Sequence, residues 1–299
     1  LRARLQTARE IRRYAADVLA LPDNASYTRY ADLGRRAAVY NVVAAPEFSL
    51  QLHQWCFPVT GCIGYRGYFD EANAKAFAAR LASGLEVAVY PVPAYSTLGW
   101  TNWLGGDPLL NTFIAYPEGE LARLIFHELA HQQLYVRDDT AFNESFATAV
   151  ERLGGERWLR ERASEEARQA YEHFRQRRQA FRELTGRTRA QLASLYDTPD
   201  LPDTERRTRK AAIMEEFRAG YAQLRERWGG WQGYDRWVDQ ANNALFGAQA
   251  AYDEWVPAFE ALFEREGRDF TRFYAAARQL ADLPAGQRKA ALAALLQGG

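Results

Sequence analysis

An α+β fold is what the sequence predicts, with a small mixed sheet beside one histidine-bearing helix and a large helical C-terminal part. Three observations carry this expectation. His127-Glu128-x-x-His131 lies inside the apolar run Leu121–His131, short stretches of β-formers recur between residues 38 and 90, and strand signals nearly vanish after Gly155. The change of character predicts a sheet-containing core over 1–155. A helical region over 156–299 packs on that core and covers or walls its cleft, unless the two form one continuous domain.

Taken in order, apolar periodicity predicts a first helix over Leu5–Ala20, and Asn24-Ala-Ser-Tyr27 is a start signal for a short helix before Tyr30. Strands are expected at Ala38–Val43, Ser49–His53, Ile63–Phe69 and Glu86–Tyr90, with a helix from Asp70 to about Ala82. Pro91–Asp107 holds two prolines and three glycines and reads as a loop, with a short extended piece at Ser96–Trp100. Leu109–Ala115 reads as a strand leading into the histidine helix. After a polar turn at Val136–Thr140, Asp139–Glu151 reads as a second helix whose apolar stripe is Phe142, Phe146, Ala149 and Val150.

Beyond Gly155, Tyr171, Phe174, Phe181 and Leu184 recur with coiled-coil-like spacing, as do Ile213, Phe217, Tyr221, Leu224 and Trp228. The Pro-containing break Asp197–Asp203 between the two runs predicts a long antiparallel helical hairpin. Structural packing is the favoured role for this hairpin, ahead of a partner-binding arm or a wall over the cleft.

With 299 residues the chain can bury a sizeable core. Its 38 basic and 38 acidic residues lack the cationic footprint of a nucleic-acid binder, so nucleic acid is not an expected partner. No stretch reaches the length of a membrane span, and Leu1 opens a charged helical pattern without a secretory apolar segment. Cys56 and Cys62 are the only cysteines. They form either a disulfide, suited to an oxidising compartment, or two small buried residues on adjoining strands.

The chemistry rests on the histidine helix. Residues one turn apart share a face, so His127 and His131 can offer two nitrogens to one tetrahedral metal. Glu128, between them, is placed to take a proton from water and pass it to a leaving amine. The third ligand is Glu144, in an Asn143-Glu144-x-x-Ala147 pattern that supplies the glutamate ligand of gluzincin-type peptidases. Leu121, Leu124, Ile125, Leu129 and Leu134 flank the histidines, and burying two imidazoles and an acid in such a helix is costly unless they are paired or bound to metal. His53 and His173 are isolated in sequence and are excluded from the site. The expectation is a gluzincin-like zinc metallopeptidase core with one Zn2+ per chain. Its peptide or protein substrate would be bound as an added strand along a sheet edge at Ser96–Trp100 or Leu109–Ala115.

The chain resembles a bacterial family of zinc aminopeptidases that combine His-Glu-Leu-Ala-His-Gln with Phe-Asn-Glu-Ser-Phe-Ala. The likeness includes Tyr40–Ala45, Gly61–Asp70, Val92–Trp100, Asn242–Ala244 and Tyr252, and so spans most of the sequence. It implies His127, His131 and Glu144 as zinc ligands and Glu128 as the acid/base. Members often carry a lipoprotein signal, which implies an envelope-anchored, periplasm-facing enzyme. Exopeptidase action needs a subsite for the substrate's free amine. No Gly-x-Met-Glu-Asn element supplies one, so endopeptidase action stays open, as does a non-catalytic envelope binding or assembly protein with a zinc-stabilised fold. Tyr252 and Tyr95 are the candidates for stabilising the oxyanion.

Overall fold

A computed structural model describes residues 1–57, 61–81, 84–94 and 105–297, with the side chains of 251–253 outside the description. The protein is α+β and mostly helical. β2 (Val39–Pro46) is the middle strand of a three-stranded antiparallel sheet, between β5 (Arg66–Tyr68) and β6 (Leu85–Val92). Its run of apolar residues follows from burial on both faces. Tyr40 and Val42 pack toward α2 (Glu71–Ala78), while Val43 and Ala45 pack toward α8 (Asn243–Asp253). Asp70 starts α2 as expected, its side chain accepting from Asn73 N at 2.9 Å.

The remaining strands are short. β3 (Trp55–Phe57) and β4 (Gly61–Ile63) pair antiparallel, with Cys56 opposite Cys62 and the two joined in a disulfide. β1 (Tyr30–Ala31) and β7 (Leu109–Leu110) make a two-residue parallel bridge. The described strands therefore form three small sheets, each wholly parallel or wholly antiparallel, in place of the single mixed sheet expected.

The largest core is shared by α1 (Arg2–Asp17), α3 (Glu118–Gln133), α4 (Thr140–Glu161), α9 (Val256–Arg265), α10 (Phe270–Ala281) and α11 (Ala285–Leu295). Leu121, Ile125 and Leu129 of α3 are fully buried in it, as the apolar flanks of the histidine motif predict. Phe142 and Phe146 of α4 meet Phe259 of α9 with ring centroids 5.1 and 5.6 Å apart. α3 and α4 run antiparallel and close together because α4 carries glycine where they touch. A Cβ on Gly155 would lie 2.6 Å from Arg123 Cγ.

The helical hairpin is present as α5 (Glu165–Tyr196) and α6 (Asp203–Arg227), broken at Asp197–Pro202. Its antiparallel course brings Phe181 against Tyr221 and Gln191 against Glu216. Phe181, Leu184, Phe217 and Leu224 form a second core, closed by Val238 of α7 (Asp235–Asp239) and Phe246 of α8. No helix among the described residues is long and apolar enough to cross a membrane.

Three expectations fail locally. Residues 24–29 form no helix: Asn24 Oδ1 accepts from Ser26 N, and the buried Arg12 gathers the carbonyls of Pro22, Asn24 and Ser26. The segment 49–53 is irregular, its leucines spent on docking against Gly64 and Gly247 and its His53 N bonded to Ala44 O. Leu109–Ala115 is strand only at its first two residues. Phe113 and Ile114 both donate to Leu110 O, so Leu109, Leu110, Phe113 and Ile114 share one buried side of a turn.

Candidate metal centre

The turn between α3 and α4 decides how the histidines meet Glu144. Asn143, buried at the start of α4, donates to Val136 O and accepts from Val136 N, both at 2.7 Å. Asp139 caps α4 by accepting from Phe142 N at 3.1 Å, and its other oxygen accepts from Arg288 Nε at 2.9 Å. The chain reverses within Leu134–Asp139, and Glu144 is returned to the face of α3 that carries both imidazoles.

There, three atoms converge. His127 Nε2 and His131 Nε2 are 3.1 Å apart, and Glu144 Oε2 lies 3.4 Å from the first and 3.6 Å from the second. A tetrahedral ion with bonds of about 2.0–2.2 Å needs ligand atoms about 3.3–3.6 Å apart; both sides to Glu144 meet that, and the 3.1 Å between the imidazoles needs only a small outward shift of the rings. His127, His131 and Glu144 form a group that could hold a metal ion. Burial sharpens the point, because two imidazole nitrogens and a carboxylate this close, with little water, call for a cation or a shared proton.

Behind the triangle stands a residue that sequence reasoning missed. Glu151 Oε2 is 3.0 Å from His127 Nδ1, on the side of the ring away from Glu144, and Glu151 is in turn paired with the buried Arg123. Glu151 lies seven residues after Glu144, two turns along α4, and that spacing was the available signal. Arg123 precedes His127 by four residues, one turn of α3.

The charges follow from these contacts. Burial on its own would lower the His127 pKa, but hydrogen bonds to Glu144 and Glu151 outweigh it and raise the value well above the ordinary one. Burial would push Glu144 up, yet the charge of His131 and hydrogen bonds from both imidazoles hold it down at about 2. Glu151 is likewise penalised by burial and is held at about 2 by Arg123 and His127. Glu128 differs. Burial raises its pKa, and the charges of His127 and His131 only partly offset that.

His127 and Glu128 border two compartments of a cleft. One, of about 430 Å³, is lined by Glu120, Arg178 and Arg182 together with Thr148 and Glu151. The other, of about 530 Å³, is lined by Tyr90, Val92, Leu245 and Ala248. Tyr234 and Trp237 border both, and Tyr234 stacks on Phe181 of the hairpin with ring centroids 4.0 Å apart. Residues of the hairpin and of the segment after it therefore wall the cleft, and no local sequence pattern marked Tyr234, Trp237 or Gln249 for that place.

Of the two tyrosines named from sequence, Tyr95 lies outside the described residues. Tyr252 lies within α8, and its side chain is outside the description. His53 packs edge-on to Trp55 at 4.8 Å and is not in the group that could hold a metal ion. Glu118 accepts from Trp158 Nε1 and Asp138 accepts from Cys62 N, while Glu120, paired with Arg178, borders the cleft. Comparison with curated proteins and with solved structures gives no match. The model of the family described as "Putative aminopeptidase" matches residues 1–292, nearly the whole chain, and the protein belongs to that family.

Proposed function

We propose that the protein is a zinc-dependent aminopeptidase in which His127, His131 and Glu144 hold one zinc ion and Glu128 serves as general base and then general acid. The observation that carries this reading is the triangle of ligand atoms, with sides of 3.1, 3.4 and 3.6 Å, set beside the Glu128 carboxyl at a cleft. His127, His131 and Glu144 would hold the ion, and a zinc ion there would supply a Lewis acid and activate water. Glu128 accepts the proton of the attacking water and delivers it to the amine nitrogen of the scissile bond, a transfer suited to a carboxyl whose pKa burial has raised. Glu151 holds the proton on His127 Nδ1, so that Nε2 presents its lone pair, and Arg123 holds Glu151. Tyr252 and Tyr95 are the proposed donors to the oxyanion.

Substrate is proposed to bind as an added strand on the outer edge of β6, which walls the cleft at Tyr90–Pro93. Val92 O accepts from Ala38 N inside the sheet, so alternation turns the polar groups of Val89 and Pro91 outward, and Pro91 offers only its carbonyl. The Cys56–Cys62 disulfide supports a periplasm-facing address in an oxidising compartment.

The test combines metal analysis with cleavage of a mixed peptide library carrying free or blocked N-termini. The expected result is about one zinc per chain, lost in Glu144→Ala, and cleavage confined to free N-termini. Glu128→Gln should keep zinc and lose turnover by about 10²–10⁴-fold. Cleavage of blocked peptides would make the protein an endopeptidase. Zinc without cleavage, and a biological effect that survives Glu128→Gln, would make it a binding protein with a zinc-stabilised fold.

A further inference from the structure

Gln249 stands where three cavities meet. It lines the compartment that holds Glu151, the compartment that holds Tyr90, and a further cavity of about 500 Å³ bordered by arginines of α5. Its side chain makes no hydrogen bond among the described residues, and its Oε1 is shut away from water. An amide oxygen in that state is unfavourable unless something supplies the missing partner. Half a turn about the last side-chain bond exchanges oxygen and NH2, so the amide can present either a donor or an acceptor to the cleft.

We propose that Gln249 and the apolar surface beside it form the subsite for one bulky apolar residue of the substrate, with the Gln249 amide hydrogen-bonded to that residue's main chain. This rests on the peptidase reading and adds the substrate class to it. Leu245, Ala248 and Gln249 follow one another at helical spacing, so they share a face of α8. Tyr90 and Val92 of β6 and Trp237 of α7 line the same compartment. Ala248 is small where a Leu or Phe would fill this space, and an apolar side chain entering it leaves water for apolar partners. The opposite compartment suits such a side chain less well. It also carries Tyr116, Leu124 and Phe181, but it holds the Glu120–Arg178 and Arg123–Glu151 pairs, and covering these with hydrocarbon would strip water from ions. The apolar residue therefore belongs on the β6 side of His127, with Gln249 at the point where main chain passes between the compartments.

The experiment is calorimetric titration of the zinc-loaded protein with phenylalanine hydroxamate, glycine hydroxamate and N-acetyl-phenylalanine hydroxamate, on wild type and Gln249→Leu. Zinc content and Tm of both proteins are measured alongside. Wild type should bind the phenylalanine probe at least about ten-fold more tightly than the glycine probe. Gln249→Leu should bind it about ten-fold more weakly than wild type, about 1.4 kcal/mol, with zinc and Tm unchanged. A loss confined to the free-amine probe identifies the substrate's amine as the partner of Gln249, and a loss shared by the acetylated probe identifies its amide. Equal affinities in wild type and variant, or no preference for phenylalanine over glycine, would overturn the subsite. Zinc-loaded wild type that bound none of the hydroxamates would overturn the peptidase reading and the subsite together. Should Gln249→Leu fail to fold, Gln249→Met, of similar length and without the amide, carries the same expectations.

Discussion

At His127 the two ring nitrogens face different groups. Glu151 Oε2 lies 3.0 Å from Nδ1 on one side of the ring, while Nε2 faces Glu144 and His131 on the other. Glu151→Gln is expected to weaken zinc binding by about 10–100-fold, read by competition with a chromophoric chelator, and to leave the far-UV spectrum unchanged. Undiminished affinity would remove Glu151 from the support of the site. Glu151→Ala is the poorer experiment, because it takes from the buried Arg123 its closest carboxylate, leaving it Glu120 at 3.9 Å and the Tyr171 hydroxyl at 3.4 Å, and so destabilises the fold by up to about 3–5 kcal/mol on its own. The histidines and Glu128 were legible in the sequence because their geometry is local to one helical turn. Glu151 was legible in principle, at seven residues from Glu144, but a glutamate on a helix that also carries Arg152 and Arg157 looks like any solvated face. Gln249 and Tyr234 had no signal, since their place at the cleft exists only once α7 and α8 have packed.

At the scale of elements, the α3–α4 turn is the part on which the centre depends. Asn143 bonds both polar groups of the half-buried Val136, whose carbonyl has Asp139 N at 3.4 Å as its other donor and whose N–H has Asn143 as its acceptor. Asn143→Leu is expected to lower stability by about 2–4 kcal/mol and to loosen zinc further, because Glu144 is the next residue and moves with the turn. Thermal unfolding with and without zinc checks this, and an unchanged Tm in both states would show that the turn is held by α3 and α4 alone. The strands show what patterning can and cannot carry. β2 and β6 were found because long apolar runs or alternation there reflect a real sheet. The segment 49–53 has the same alternation for another reason: Leu52 lies against Gly64 and Gly247, Leu50 packs on the hairpin core, and no ladder forms. Leu109–Ala115 was misread because its apolar residues recur at the spacing of a turn.

For the whole molecule, α4 joins the metal centre to the C-terminal helices. One side of it presents Glu144 and Glu151 to the histidines, and the other buries Phe142 and Phe146 against Phe259 of α9 and, for Phe146, Phe273 of α10 at 5.8 Å. Tyr274 of α10 reaches further still, donating from its hydroxyl to Leu19 O just past the end of α1. A fragment ending at residue 155 would leave those rings facing water, at a loss of about 1.5–3 kcal/mol for each large side chain. The whole stability of a domain is only about 5–15 kcal/mol, so a few such exposures are decisive. We therefore expect the fragment 1–155 to be unfolded in isolation, with collapsed amide dispersion and no stoichiometric zinc, despite containing every proposed ligand. Adding the fragment 156–299 in trans should restore both if the two halves can still close the shared core. A fragment 1–155 that folds alone and binds one zinc would show instead that the N-terminal half is a domain in its own right, with α9–α11 packed on it as a later addition.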